Sequence, residues 1–174
     1  MSERQTGRKT ENDFSGIERY LASLKKIDFE LAYLALLTRE GLKPLSRWEK
    51  PLENKELELL QALGLHTKSI RRTVKTGREV NETVFGKSFV YLDLYSKRFE
   101  NKPIEKSADV QRYEGFLFGY PPCCIEGYIV RPYAPNNLDE EDRKILFHWP
   151  CDNCKITPFL VSSYRKIFEI IQNL

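Results

Sequence analysis

Apolar residues of this chain recur at two different periods, and the change of period divides it. From Phe14 they fall three or four apart, at Ile17, Leu21 and Leu24, which is the spacing of one helical face. A second helix is expected from about Asp28 to Glu40 through Leu31, Leu34, Ala35 and Leu37, with Gly41 as its C-terminal cap. "LKPLSRWEKP" reads as a loop, and "ENKELELLQALG" (53–64) as a short amphipathic helix ending on another glycine. The period then shortens. "SIRRTVK", "REVNETVF" and "SFVYLDLY" are rich in β-branched and aromatic residues, broken at Thr76-Gly77 and Gly86-Lys87, so 70–95 is expected to form a three-stranded antiparallel meander. Helical spacing returns at "SADVQRYEGFLFG", with Ser107 as N-cap. Short helices at 122–130 and 138–147 and a closing amphipathic helix, "TPFLVSSYRKIFEIIQN", complete the pattern.

The sum is an α+β single domain over 14–174: helices packed on a small antiparallel meander, with a helical, cysteine-bearing C-terminal half at 107–174. Residues 1–13 are polar and charged and read as a disordered tail. A chain of 174 residues buries roughly 70% of its unfolded surface, so its core does not depend on cysteine staples. The longest apolar stretch, "LAYLALL" at 31–37, is too short to span a bilayer, and the polar N-terminus has no signal-peptide core. Both point to a cytoplasmic protein with no membrane partner, where thiols stay reduced and cysteine clusters bind metal or do chemistry. The charge-rich, glutamine-poor composition also suggests a thermophile.

All four cysteines lie between Cys123 and Cys154. In "GYPPCCIEGYIV" (119–130) two prolines precede a vicinal pair. Proline suits the first turn of a helix, so Cys123 and Cys124 are expected where unpaired N–H groups and the helix dipole stabilise thiolates. In "FHWPCDNCKITPF" (147–159) the Cys-x-x-Cys turn lets Cys151 and Cys154 converge on one ion, and His148 stands three residues upstream as a possible nitrogen ligand. Tetrahedral zinc or a [4Fe–4S] cluster would each take four of these five donors. Successive helical residues point about 100° apart, so a single zinc is expected to use only one of the vicinal pair, with His148, Cys151 and Cys154, and to leave a spare thiol. The alternative is a metal-free thiol redox enzyme using the two cysteine pairs.

Around "GFLFGYPPCCIEGY" and "HWPCDNC" the chain resembles a mostly archaeal family of unassigned activity, domain-of-unknown-function family 483, through Gly119, Tyr120, Pro121, Cys123, Cys124, His148, Pro150 and Cys151. The second cysteine spacing differs from the family pattern, so Cys154 matches less closely. The resemblance implies a cytosolic protein with a site at these residues and names no reaction. A weaker likeness, to iron–sulfur redox modules with Cys-Cys before Cys-x-x-Cys, is marred by Ile125, where those modules carry glycine.

Net charge is +3 and the pI about 8.6, below the value of roughly 9 that marks a dedicated nucleic-acid module. The stretch 66–78 nonetheless carries Lys68, Arg71, Arg72, Lys75 and Arg78 with no acid. It could track RNA or DNA phosphates, with Phe85, Phe89 and Tyr91 stacking bases, or serve as a solvated sheet face. "NETVFGKS" (81–88) lacks the first glycine of a phosphate loop and reads as a hairpin. Glu126 and Asp152 are the acids nearest the thiols. Trp48 and Trp149 read as packing residues, the latter shielding the metal site, and His66 carries no assignment.

Overall fold

The computed structural model describes residues 9–174. Its element order is α1 (Lys9–Ile27), α2 (Phe29–Arg39), β1 (Ser46–Trp48), α3 (Asn54–Ala62), β2 (His66–Thr73), β3 (Glu79–Gly86), α4 (Phe89–Phe99), β4 (Lys102–Pro103), α5 (Ala108–Leu117), α6 (Pro122–Val130), α7 (Glu140–Lys144) and α8 (Thr157–Asn173). The α+β class stands. Of the expected tail, residues 1–8 lie outside the described residues, whereas 9–13 already belong to α1. No helix among the described residues is long and apolar enough to cross a membrane.

Local chemistry explains the helix ends. Asp28 Oδ1 accepts from the Glu30 and Leu31 N–H groups at 2.9 and 3.4 Å, and Gly41 takes the left-handed φ of 79° that closes α2. Between these caps Leu31 to Thr38 are all buried. Helix α2 is therefore wrapped on several sides, against α1, α8 and strands of the sheet.

The sheet order is β1-β3-β2-β4. Strands β2 and β3 form the expected hairpin, turning at Gly77 (φ 82°), where Val74 N–H donates to Arg78 O at 2.9 Å. Strand β1, read as loop from sequence, pairs antiparallel with β3, and β4 joins β2 in parallel through two residue pairs. The third meander strand does not form. "FVYLDLY" is helix α4, because Leu92, Tyr95, Ser96 and Phe99 bury one face at three- and four-residue spacing. The hairpin expected at Gly86-Lys87 is instead a strand-to-helix junction. No phosphate loop arises there either, since 79–86 are extended strand paired with β2 and, in part, β1. Helix α7 is one turn, shorter than the expected 138–147.

Two apolar clusters result, one around α2 and one between the sheet, α4 and α5. Buried charges line the second. Arg72, 1% exposed, lies 3.5 Å from Glu82 and 3.2 Å from Glu114; the Tyr95 hydroxyl donates to Glu82 at 2.6 Å, and Arg47 pairs with Glu114 at 2.8 Å. Buried Arg72 and Glu82 are thus balanced together with half-buried Arg47 and Glu114, as charges withdrawn from water require. This corrects the nucleic-acid reading at two residues: Arg72 is interior, and Phe85 is buried in the other cluster. Lys68 is 3.7 Å from Asp93, Arg71 bonds Asn101, and Lys75 sits in the turn beyond the strand.

Lys43, 2% exposed between α2 and β1, has no carboxylate within 4.0 Å among the described residues. Its ammonium donates to Phe118 O at 3.2 Å and faces the rings of Tyr120, Phe147 and Phe118 at 4.6, 5.3 and 5.6 Å. Burial first, and then the Arg47 charge, bring its pKa from 10.5 down to about 7. Because the folded value lies below the unfolded one, the burial penalty is complete below about pH 7. Between the two values the unfolded chain holds the extra proton, so stability rises with pH. Compared with Lys43→Met in urea titrations at pH 7, 8 and 9, wild type should gain stability at up to ~1.4 kcal/mol per pH unit. Parallel pH profiles would show that Lys43 keeps its proton.

Candidate metal centre

Pro121 and Pro122 start α6 as expected, and Cys124 and Ile125 N–H donate to Pro121 O at 2.9 and 3.1 Å. Cys123 and Cys124 thus stand in the first turn. The second corner is the turn from Cys151 to Cys154, closed by Cys154 N–H to Cys151 O at 3.3 Å, with Asn153 at a left-handed φ of 54°. Helix α8 starts three residues later at Thr157, followed by Pro158.

The two corners meet. Cys123 Sγ lies 3.6 Å from Cys154 Sγ, and Cys124 Sγ lies 3.4 Å from Cys154 Sγ and 3.8 Å from Cys151 Sγ. All four sulfurs fall within 4.8 Å of one another, and none is in a disulfide. The vicinal pair therefore does what helical geometry seemed to forbid. Both residues reach the Cys-x-x-Cys turn, Cys124 (buried) from its inner side and Cys123 (exposed) from its outer side.

His148 does not join the sulfurs. Its Nε2 lies 3.0 Å from Thr157 Oγ1, and that hydroxyl in turn lies 3.2 Å from Cys154 Sγ and 3.5 Å from Cys124 Sγ. Thr157 is fully buried and sits between imidazole and thiols. Burial, and then the charge of Lys43, lower the His148 pKa to about 4, so the ring is neutral near pH 7. The correction has a local cause: α8 begins just after the second cysteine pair, so its first side chain takes the place at the sulfurs that the upstream histidine was expected to fill.

Ionisation of the thiols is uneven. Burial raises Cys124 to about 11 and also raises Cys151. At Cys154 burial opposes ionisation, but the Thr157 hydroxyl and the backbone N–H groups of Thr157 and Ile156 outweigh it and lower the pKa to about 6. The most acidic of these three is thus ahead of α8, whereas sequence reasoning placed the low pKa at the start of α6.

Glu126 is turned away from the thiols, held by Arg112 through two bonds of 2.7 and 2.9 Å. Trp149 donates its indole N–H to Ala134 O at 2.7 Å and packs on Tyr133 rather than over the sulfurs. Thr157 and Gly127 were missed from sequence. A Cβ on Gly127 would stand 2.9 Å from Cys151 Cβ, so a bare backbone is what lets α6 approach the second corner. A glycine inside a short helix was the available signal for such an approach.

Gly127→Ala sets a helix-propensity gain of ~1 kcal/mol against an overpacking cost of roughly 1–3 kcal/mol. Thermal unfolding should show a net loss of stability, while Gly16→Ala, where nothing lies within 4 Å, should gain. A stabilised Gly127→Ala would mean that the contact yields freely. No family model, curated protein or solved structure matches this chain.

Proposed function

We propose that the protein binds one zinc ion through Cys123, Cys124, Cys151 and Cys154, as a closed structural centre that ties the C-terminal half together. The carrying observation is the spacing of the sulfurs. Four thiolates at ~2.3 Å from a tetrahedral zinc stand ~3.8 Å apart, and the close pairs here lie at 3.4, 3.6 and 3.8 Å. A [4Fe–4S] cluster interposes four irons and four sulfides and spreads its thiolates farther. Four protein sulfurs leave no open coordination position, the mark of a structural rather than a catalytic ion.

The surroundings suit a thiolate set. Cys151 N–H donates to Cys124 Sγ at 3.4 Å and Thr157 N–H to Cys154 Sγ at 3.3 Å, which disperses the negative charge of the centre and orients the sulfurs. The stretch from Arg131 to Ile156 has only the one-turn α7 as regular structure; Leu138, Ile145 and Phe147 anchor its middle on the core, and the sulfurs are left to tie its C-terminal end to α6. An ion worth ~10–16 kcal/mol of apparent binding energy in small peptides is ample for that.

Metal analysis of purified protein should find one zinc per chain and no visible absorption. Cys124→Ser and Cys151→Ser should each lose the ion and lower the thermal midpoint. A brown protein with several irons per chain would replace zinc by a cluster. Colourless protein without stoichiometric zinc or iron would end the metal reading. It would favour a thiol redox protein, for which the acidic Cys154 beside exposed Cys123 is the supporting observation.

A further inference from the structure

Beside the sulfurs lies a cavity of about 390 Å³, within the size range of small-molecule sites. Its walls come from β1, α5, α6 and the segment 133–149, and include Arg47, Glu114, Tyr128, Tyr133, Arg143 and Trp149. Three features of these walls have no role in the fold or in the metal centre.

Aromatic rings gather on one side. Tyr133 stands edge-on to Tyr128 at 5.2 Å and to Trp149 at 5.3 Å, and remains 66% exposed. It does so at a φ of 58°, a left-handed conformation costly for a bulky side chain. The bond from the Trp149 indole to Ala134 O helps hold it there. Strain spent on presenting an exposed ring beside a cavity points to a ligand with a flat face.

One cation on the walls is unmatched. Arg47 and Arg72 are offset by Glu49, Glu82 and Glu114, whereas Arg143 has no carboxylate within 4.0 Å among the described residues and lies 5.6 Å from the Trp149 ring centre. An anion at the mouth of the cavity would meet a fork of free guanidinium donors.

Two buried acceptors on the walls lack partners: Gln111 Oε1 and His148 Nδ1. If Thr157 donates to sulfur, His148 Nε2–H must donate to Thr157, which leaves Nδ1 as a bare acceptor. Unsatisfied buried polar atoms call for a donor, and N–H groups on a ring are donors of that kind.

We infer that this cavity binds a planar, N–H-bearing ring with an anionic substituent, the chemistry of a nucleoside monophosphate, with the ring against Tyr128, Tyr133 and Trp149 and the anion on Arg143. The site needs no reaction at the sulfurs and is independent of which metal they hold.

Isothermal titration of the full-length protein with AMP, GMP, CMP and UMP tests it, with the matching nucleosides and ribose 5-phosphate alongside. At least one monophosphate should saturate near one per chain, at least tenfold tighter than its nucleoside and than ribose 5-phosphate. Arg143→Gln should erase the advantage over the nucleoside with an unchanged thermal midpoint. Tyr133→Gly, which suits the left-handed φ, should retain or raise the midpoint yet weaken the monophosphate at least tenfold. The site is refuted if none of the four saturates, if ribose 5-phosphate binds equally well, or if both folded variants titrate like wild type.

Discussion

Four cysteine sulfurs drawn within 4.8 Å of one another make a demanding arrangement. As neutral thiols they are weak donors that gain little from each other, and as thiolates they repel. A cation turns both liabilities into attraction, and much of the C-terminal half can be understood as scaffolding for that convergence. The prolines fix where α6 starts, Gly127 lets the helix approach, and Thr157 supplies a hydroxyl and an N–H at the start of α8. Each is a backbone or small-residue device, because bulk anywhere in the corner would keep the sulfurs apart.

The other half of the molecule faces a different constraint, charge removed from water. Arg47, Arg72, Glu82 and Glu114 form a balanced set threaded by the Tyr95 hydroxyl, while Lys43 lies alone among rings a few residues away. A balanced buried set resists removal of any one member, since the partner left behind is an unpaired charge. It also fixes how β1, β2, β3, α4 and α5 sit against one another, since each contributes one of these five residues. Both constraints meet at the cavity, whose walls include Arg47 and Glu114 from one side and Cys124 and His148 from the other.

Much of this was legible in the sequence, for identifiable reasons. The helices around Leu31–Leu37 and at 54–62, 108–117 and 157–173 carry strong caps or strong three-and-four spacing, 122–130 is marked by its prolines, and the cysteine cluster is plain from its confinement. What failed was the choice between periods at "FVYLDLY", where aromatic and β-branched residues mimic a strand but the buried set is helical. Strands β1 and β4 are three and two residues long and owe their pairing to β3 and β2, which no local pattern reveals. The burial of Arg72 depends on Glu82 and Glu114, distant in sequence, so a basic stretch looked like a surface. His148 looked like a ligand because spacing along the chain says nothing of Thr157 coming between.

Of the four sulfurs only Cys123 is exposed, whereas Cys124 is sealed in the interior. The corner thus has an outer and an inner side. A competing thiol or a chelator would meet Cys123 first, before any of the other three. Were an ion held there, its loss would begin at one accessible atom, at a speed governed by that residue and not by global opening of the fold.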